Sequence, residues 1–205
     1  MFKNGSLTGQ QGLSVRLDWI TSLLIVTAAM IFLFGTVFVG TQTSLLANGA
    51  ITIMIAGLTL GIVFKTYIFD LSLDKRELSQ IMVWTLVCMG AVLMVNRATP
   101  SFSEIELSGF NPRLFGVLIA VSETVFFQGF LLPWLQRLTK MSLLAVILCA
   151  AAFAAFHLNI YGGDIHALLV VLGGGLVLNY ATLQTKRLTP ACLSHSLINS
   201  LASGG

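Results

Sequence analysis

Long apolar runs, separated by short charged or polar breaks, recur along the whole chain. Seven stand out: Trp19 to Val39, Leu45 to Phe64, Leu78 to Val95, Leu114 to Leu135, Met141 to Ile160, His166 to Leu183, and Pro190 to Ala202. Runs near ~20 residues match the length of a helix that crosses a hydrocarbon core. The pattern therefore predicts an all-α, polytopic transmembrane helical bundle of about seven helices. The last run is short: at a rise of ~1.5 Å per residue it reaches about 20 Å against a core of roughly 30 Å. Either it ends inside the membrane or the chain stops early. Lys3 and Arg16 precede the first run as they would in a signal peptide. That run is long enough to span, and no small-residue cleavage site follows it convincingly, so an uncleaved first helix is expected.

Seven spans place alternate loops on opposite sides. The side of the N-terminus then collects Lys3, Arg16, Lys65, Lys75, Arg76, Arg137, Lys140, Lys186 and Arg187, and the other side only Arg97 and Arg113. This asymmetry predicts a multi-pass protein of the cell (inner) membrane with a cytoplasmic N-terminus. The longest polar connection, residues 96–113, separates plain supporting helices in residues 1–95 from four helices in residues 114–205 that carry ionisable groups.

Composition agrees with lipid as the solvent. Of 205 residues, 56% are apolar and 9% charged, against roughly 25% charged in a soluble domain. Eleven Lys or Arg and eight Asp or Glu cannot form the polar shell of a soluble fold this size. The net charge of +3 sits in short loops with no basic, aromatic-interleaved stripe, which argues against nucleic-acid binding. Cys88, Cys149 and Cys192 lie in apolar runs without a CxxC, so neither a disulfide framework nor a zinc knuckle is expected.

Against this background Glu123 is the conspicuous residue. A charge at mid-membrane costs at least ~2.5 to 3.5 kcal/mol, so one that persists there faces a cavity or a partner. No basic residue lies within a turn of Glu123 on its own helix. The candidate partners are His157, in Phe153-Ala-Ala-Phe156-His157, and His195, in His195-Ser-Leu-Ile-Asn199. Residues four apart on a helix are offset by only ~40°, so Phe153 shares a face with His157, and His195 with Asn199. A carboxylate, two imidazoles and an amide converging on one cavity suffice for water-activated peptide hydrolysis.

Three motifs carry a family resemblance. Ser122-Glu123-Thr124-Val125-Phe126-Phe127-Gln128-Gly129-Phe130, then Phe153 to His157, then Pro190 to Asn199 resemble, in order, the Glu-Glu-x-x-x-Arg, Phe-x-x-x-His and His-x-x-x-Asn/Asp motifs of the CPBP intramembrane proteases. That family includes the Ras-converting CAAX endopeptidases and bacterial abortive-infection and bacteriocin-immunity proteins. The resemblance covers Leu114 to Ala202 and makes residues 114–205 the catalytic core. It implies a metal-independent glutamic endopeptidase with no cofactor. Glu123 would be the base that activates water with His157, and His195 and Asn199 would stabilise the oxyanion. The substrate would be a membrane-embedded or lipid-modified peptide or protein.

The first motif departs twice, with Thr124 in place of the second glutamate and Gln128 in place of the arginine. Losing one charge of an ion pair would strand the other, whereas losing both strands neither. Thr124 and Gln128, four apart, are therefore expected to replace it with a neutral hydrogen-bonded pair. The altered motif also keeps open a catalytically inactive immunity or scaffold protein that binds a membrane peptide in the same cavity. Other readings are a proton-coupled transporter using Glu123, a zinc site of Glu123 and the two histidines without an HExxH, and a Cys192–His195 nucleophile pair. Gly173, Gly174 and Gly175 are expected to permit close helix packing. Asp164 and His166, at a helix junction, are expected at the membrane interface with no catalytic part.

Overall fold

The computed structural model describes residues 43–71, 112–158, 160–161 and 163–202, with the separate positions 79, 82, 83, 86, 87 and 90. The expected span Trp19 to Val39, nearly all of the 96–113 connection and most of Leu78 to Val95 lie outside the described residues. Every regular element among the described residues is helical. These are α1 (Thr43–Phe64), α2 (Pro112–Thr124), a π-helical segment (Val125–Leu131), α3 (Leu132–Thr139), α4 (Ser142–Phe156), α5 (Ile165–Thr185) and α6 (Thr189–Ala202). Gly116–Thr139 and Ile165–Thr185 are long and apolar enough to cross a membrane.

Helix α2, the π segment and α3 run on without a break, and Pro133 explains much of their shape. Proline lacks an N–H and its ring crowds the carbonyl four residues back, which here is Gly129. That carbonyl accepts the N–H of Ile68 instead, at 2.8 Å. The donor belongs to a non-helical stretch, residues 66–71, that follows α1. Two residues on, the Asp70 carbonyl accepts the N–H of Leu188, just ahead of α6, at 2.9 Å. This non-helical backbone is stable because other elements satisfy polar groups that it would otherwise leave unpaired.

All seven residues of the π segment are buried. Their rings form the centre of the core: Phe127 meets Phe126, Phe153 and Phe156 edge-on, with centroids 5.1, 5.0 and 5.7 Å away. Helix α1 approaches so closely that a Cβ on Gly57 would lie 2.8 Å from the Phe126 Cα. Of the three consecutive glycines in α5, only Gly175 serves close packing, since a Cβ there would meet Phe153 and Ala150, whereas Gly173 and Gly174 face open space.

Three helices end on a lysine in the left-handed conformation: Lys65 after α1, Lys140 after α3 and Lys186 after α5. Arg137 bonds the Phe64 carbonyl at 3.1 Å and Arg187 approaches Asp70 at 3.7 Å, so these basic ends gather at one end of the bundle. Asp164 caps α5, accepting the N–H groups of His166 and Ala167.

One boundary departs from expectation and matters for the site. The fifth apolar run was expected to stay helical to Ile160, but α4 stops at Phe156 and His157 is its C-terminal cap. The chain turns there, with bonds from Tyr161 N–H to His157 O and from Gly163 N–H to Leu158 O, Gly163 taking a φ of +81°. Apolar content alone could not reveal that stop, because Leu158 and Ile160 prolong the run without prolonging the helix.

Candidate active site

The three ionisable groups come together although they arise from three helices. Glu123, in the last turn of α2, is 3% exposed. One carboxylate oxygen, Oε1, lies 3.8 Å from His157 Nε2, and the other, Oε2, lies 3.5 Å from His195 Nε2. Both histidines are buried as well. Neither separation is a good hydrogen bond, and Oε2 has no other partner.

Each imidazole is held from its far side. His157 Nδ1 lies 2.8 Å from the Phe153 carbonyl. A carbonyl only accepts, so Nδ1 carries the proton and Nε2 faces Glu123 as a lone pair while the ring is neutral. His195 Nδ1 lies 3.3 Å from the Thr124 hydroxyl. The ring of Phe153 is a wedge between the two histidines, meeting His157 at 4.6 Å and His195 at 5.6 Å, both edge-on. Tyr161 stacks on His157, with ring centroids 5.9 Å apart.

Asn199 shares the His195 face of α6 as expected, but its amide is directed at the Gly116 carbonyl, 3.4 Å away on α2. Glu123, His157 and His195 are thus assembled around one point, while Asn199 stands one turn along α6. Among the described residues no group of three His, Cys, Asp or Glu side chains is arranged to hold a metal ion.

The expected Thr124–Gln128 pair does not form. Thr124 turns to His195, whereas Gln128 donates to the Asn179 Oδ1 at 2.8 Å, and Asn179 donates in turn to the Val146 carbonyl at 3.1 Å. The four-residue spacing assumed α geometry, but the helix becomes π at Val125, which changes the direction of every later side chain. The partners of Thr124 and Gln128 lie on other helices.

One contact and one participant are not given by the spacing of the motifs. Phe153 was placed beside His157 by spacing, yet its contact with His195 is purely tertiary. Tyr161 had a usable signal, because it follows His157 by four residues and its N–H still bonds the His157 carbonyl at 3.1 Å.

Comparison with known proteins bears on the same residues. The model of a family described as type II CAAX prenyl endopeptidase Rce1-like matches residues 110–201. The matched stretch holds all three motifs and helices α2 to α6. No curated protein and no solved structure matches the chain.

Proposed function

We propose that this protein is an intramembrane glutamic endopeptidase that hydrolyses a peptide bond in a membrane-associated peptide. The observation that carries the reading is the Glu123 carboxylate set between the Nε2 atoms of His157 and His195 in a buried site. The Rce1-like match, a family of membrane-embedded peptide hydrolases, supports the reaction class.

In this reading a water lodged beside Glu123 Oε1 and His157 Nε2 loses a proton to that pair as its oxygen attacks the substrate carbonyl. His195 and Asn199 donate to the resulting oxyanion. Asn199 reaches it by exchanging its long bond to Gly116. The stored proton then passes to the amine as the C–N bond breaks, leaving a carboxylic acid and a shortened peptide. The scheme uses no metal and no cofactor. The protein would sit in the cell (inner) membrane with its N-terminus in the cytoplasm.

The test is cleavage by the purified protein in lipid nanodiscs. A farnesylated CAAX peptide, its unmodified counterpart and an apolar transmembrane peptide are offered, and products are read by mass spectrometry. Cleavage of at least one by wild type, and of none by Glu123→Gln, is expected; equal cleavage by the two proteins would refute the reading.

A further inference from the structure

The two histidines meet the same carboxylate with the same ring atom, yet their Nδ1 partners differ in kind. Behind His157 is a backbone carbonyl, and behind His195 is the hydroxyl of Thr124. A carbonyl dictates a protonated Nδ1. A hydroxyl can donate or accept, so its own surroundings decide.

Those surroundings are unusual for a helical hydroxyl in this protein. Ser122, Thr139, Thr182, Thr185 and Ser194 each donate to the carbonyl four residues back, at 2.6 to 2.9 Å. Thr124 does not. It is fully buried and its hydroxyl turns away from its own helix towards α6, where it meets His195 Nδ1 and the side chain of Cys192. Cys192 precedes His195 by three residues, so the two share a face. A thiol is a weak donor and a weaker acceptor, while an unprotonated imidazole nitrogen is a good acceptor. The buried hydroxyl proton needs an acceptor, and the good one within reach is His195 Nδ1, so Thr124 O–H donates to His195 Nδ1.

That direction leaves the His195 proton on Nε2, aimed at Glu123 Oε2. This oxygen is the buried carboxylate atom with no hydrogen-bond partner. In the opposite tautomer Nδ1 would be a second donor facing the buried threonine hydroxyl, whose proton would then lack its nitrogen acceptor.

We propose that Thr124 is a positioning residue that holds neutral His195 as its Nε2–H tautomer, opposite to His157. Two chemically identical rings then divide the work. His157 presents an acceptor that can take a proton from water, and His195 presents a donor towards the carboxylate and the developing oxyanion. The catalytic consequence rests on the hydrolase reading above; the tautomer does not.

The test reads the two separately. In 15N-histidine-labelled protein reconstituted in bilayers, the nitrogen shifts of each ring distinguish protonated from unprotonated sites, and only three histidines contribute. Wild type is expected to show Nδ1 unprotonated and Nε2 protonated for His195, with the reverse for His157. Thr124→Val removes the hydroxyl at nearly constant volume and should give His195 a mixture of tautomers. Its kcat should fall about 10- to 100-fold at unchanged KM. Thr124→Ser, which keeps the hydroxyl, should restore the wild-type spectrum and most of the rate. A protonated His195 Nδ1 in wild type, or an unchanged His195 spectrum in folded Thr124→Val, overturns the proposal. If no peptide is cleaved by any variant, the spectra still decide the tautomer, and the failure falls on the hydrolase reading alone.

Discussion

The Phe153 carbonyl accepts the Nδ1 proton of His157 at 2.8 Å, and the Phe153 ring lies edge-on against that same imidazole, so one residue fixes both its tautomer and its plane. The ring also abuts His195. Phe153→Ala keeps the carbonyl but removes the wedge. We expect it to lower kcat at least ~10-fold while the protein still folds, because mispositioning by an ångström is costly to a reaction that depends on orientation. Phe153→Tyr, which preserves the ring, should retain more activity than Phe153→Leu. Steady-state cleavage in nanodiscs, with melting curves for each variant, separates loss of rate from loss of fold.

Glu123→Gln tests the centre of the site. The substitution preserves shape and removes the base, so turnover should drop by at least ~10²-fold. Stability should not fall, because a buried carboxylate oxygen without a partner is replaced by a neutral amide able to donate. Activity assays paired with thermal unfolding in detergent check both halves, and an active Glu123→Gln would remove Glu123 from the chemistry.

Much of this site is legible in the linear sequence. A lone glutamate in an apolar run, with His157 and His195 in two later runs, pointed to a shared site, and the three do meet. Spacing rules succeed where the backbone is a plain α-helix, as for His195 and Asn199 along α6. They fail where the backbone changes: α4 stops at Phe156, so His157 is a helix cap, and the π segment redirects Gln128 from Thr124 to Asn179. Pro133 signals irregularity in that helix, but no local pattern tells that Ile68, far back in the chain, supplies the N–H for the Gly129 carbonyl. Nor does spacing reveal that Asn199 turns to Gly116, because that is a choice between neighbouring helices.

The chain Gln128–Asn179–Val146 predicts a specific non-additivity. Interhelical hydrogen bonds in membranes contribute about 0.6 kcal/mol on average, with a maximum near ~1.7. Gln128→Leu and Asn179→Ala should each cost about 1 kcal/mol or somewhat more, since the first takes the donor from the buried Asn179 Oδ1 and the second takes the acceptor from the buried Gln128 amide. The double variant should cost clearly less than the sum, because the second change removes the group stranded by the first. A double-mutant cycle on unfolding in bicelles measures the difference; strict additivity would mean that the 2.8 Å contact carries no energy.

Glycines on one helix offer the last prediction, which links packing to activity at a distance. In α5 a Cβ at Gly175 would come within 3.2 Å of the Phe153 ring and 3.3 Å of the Ala150 Cα, while one at Gly174 would meet nothing within 4 Å. Both positions carry the same helix propensity gain on mutation to alanine, so propensity cancels between them. Gly174→Ala should therefore be neutral or slightly stabilising. At Gly175 the added methyl has to move something. The Ala150 backbone is the stiffer obstacle, so the Phe153 ring yields, and that ring is the wedge against both histidines. Gly175→Ala should lower kcat several-fold with KM little changed, and Gly175→Val, with two further methyls, should also cost about 1 to 3 kcal/mol of stability through overpacking. Because Gly175 precedes the Gln128 partner Asn179 by one turn, loss of activity should appear with the polar chain still intact, as judged by an unchanged Gln128–Asn179 coupling energy in the Gly175→Ala background. Equal activity of the Gly174 and Gly175 alanine variants would show that the Phe153 ring can shift without disturbing His157 and His195.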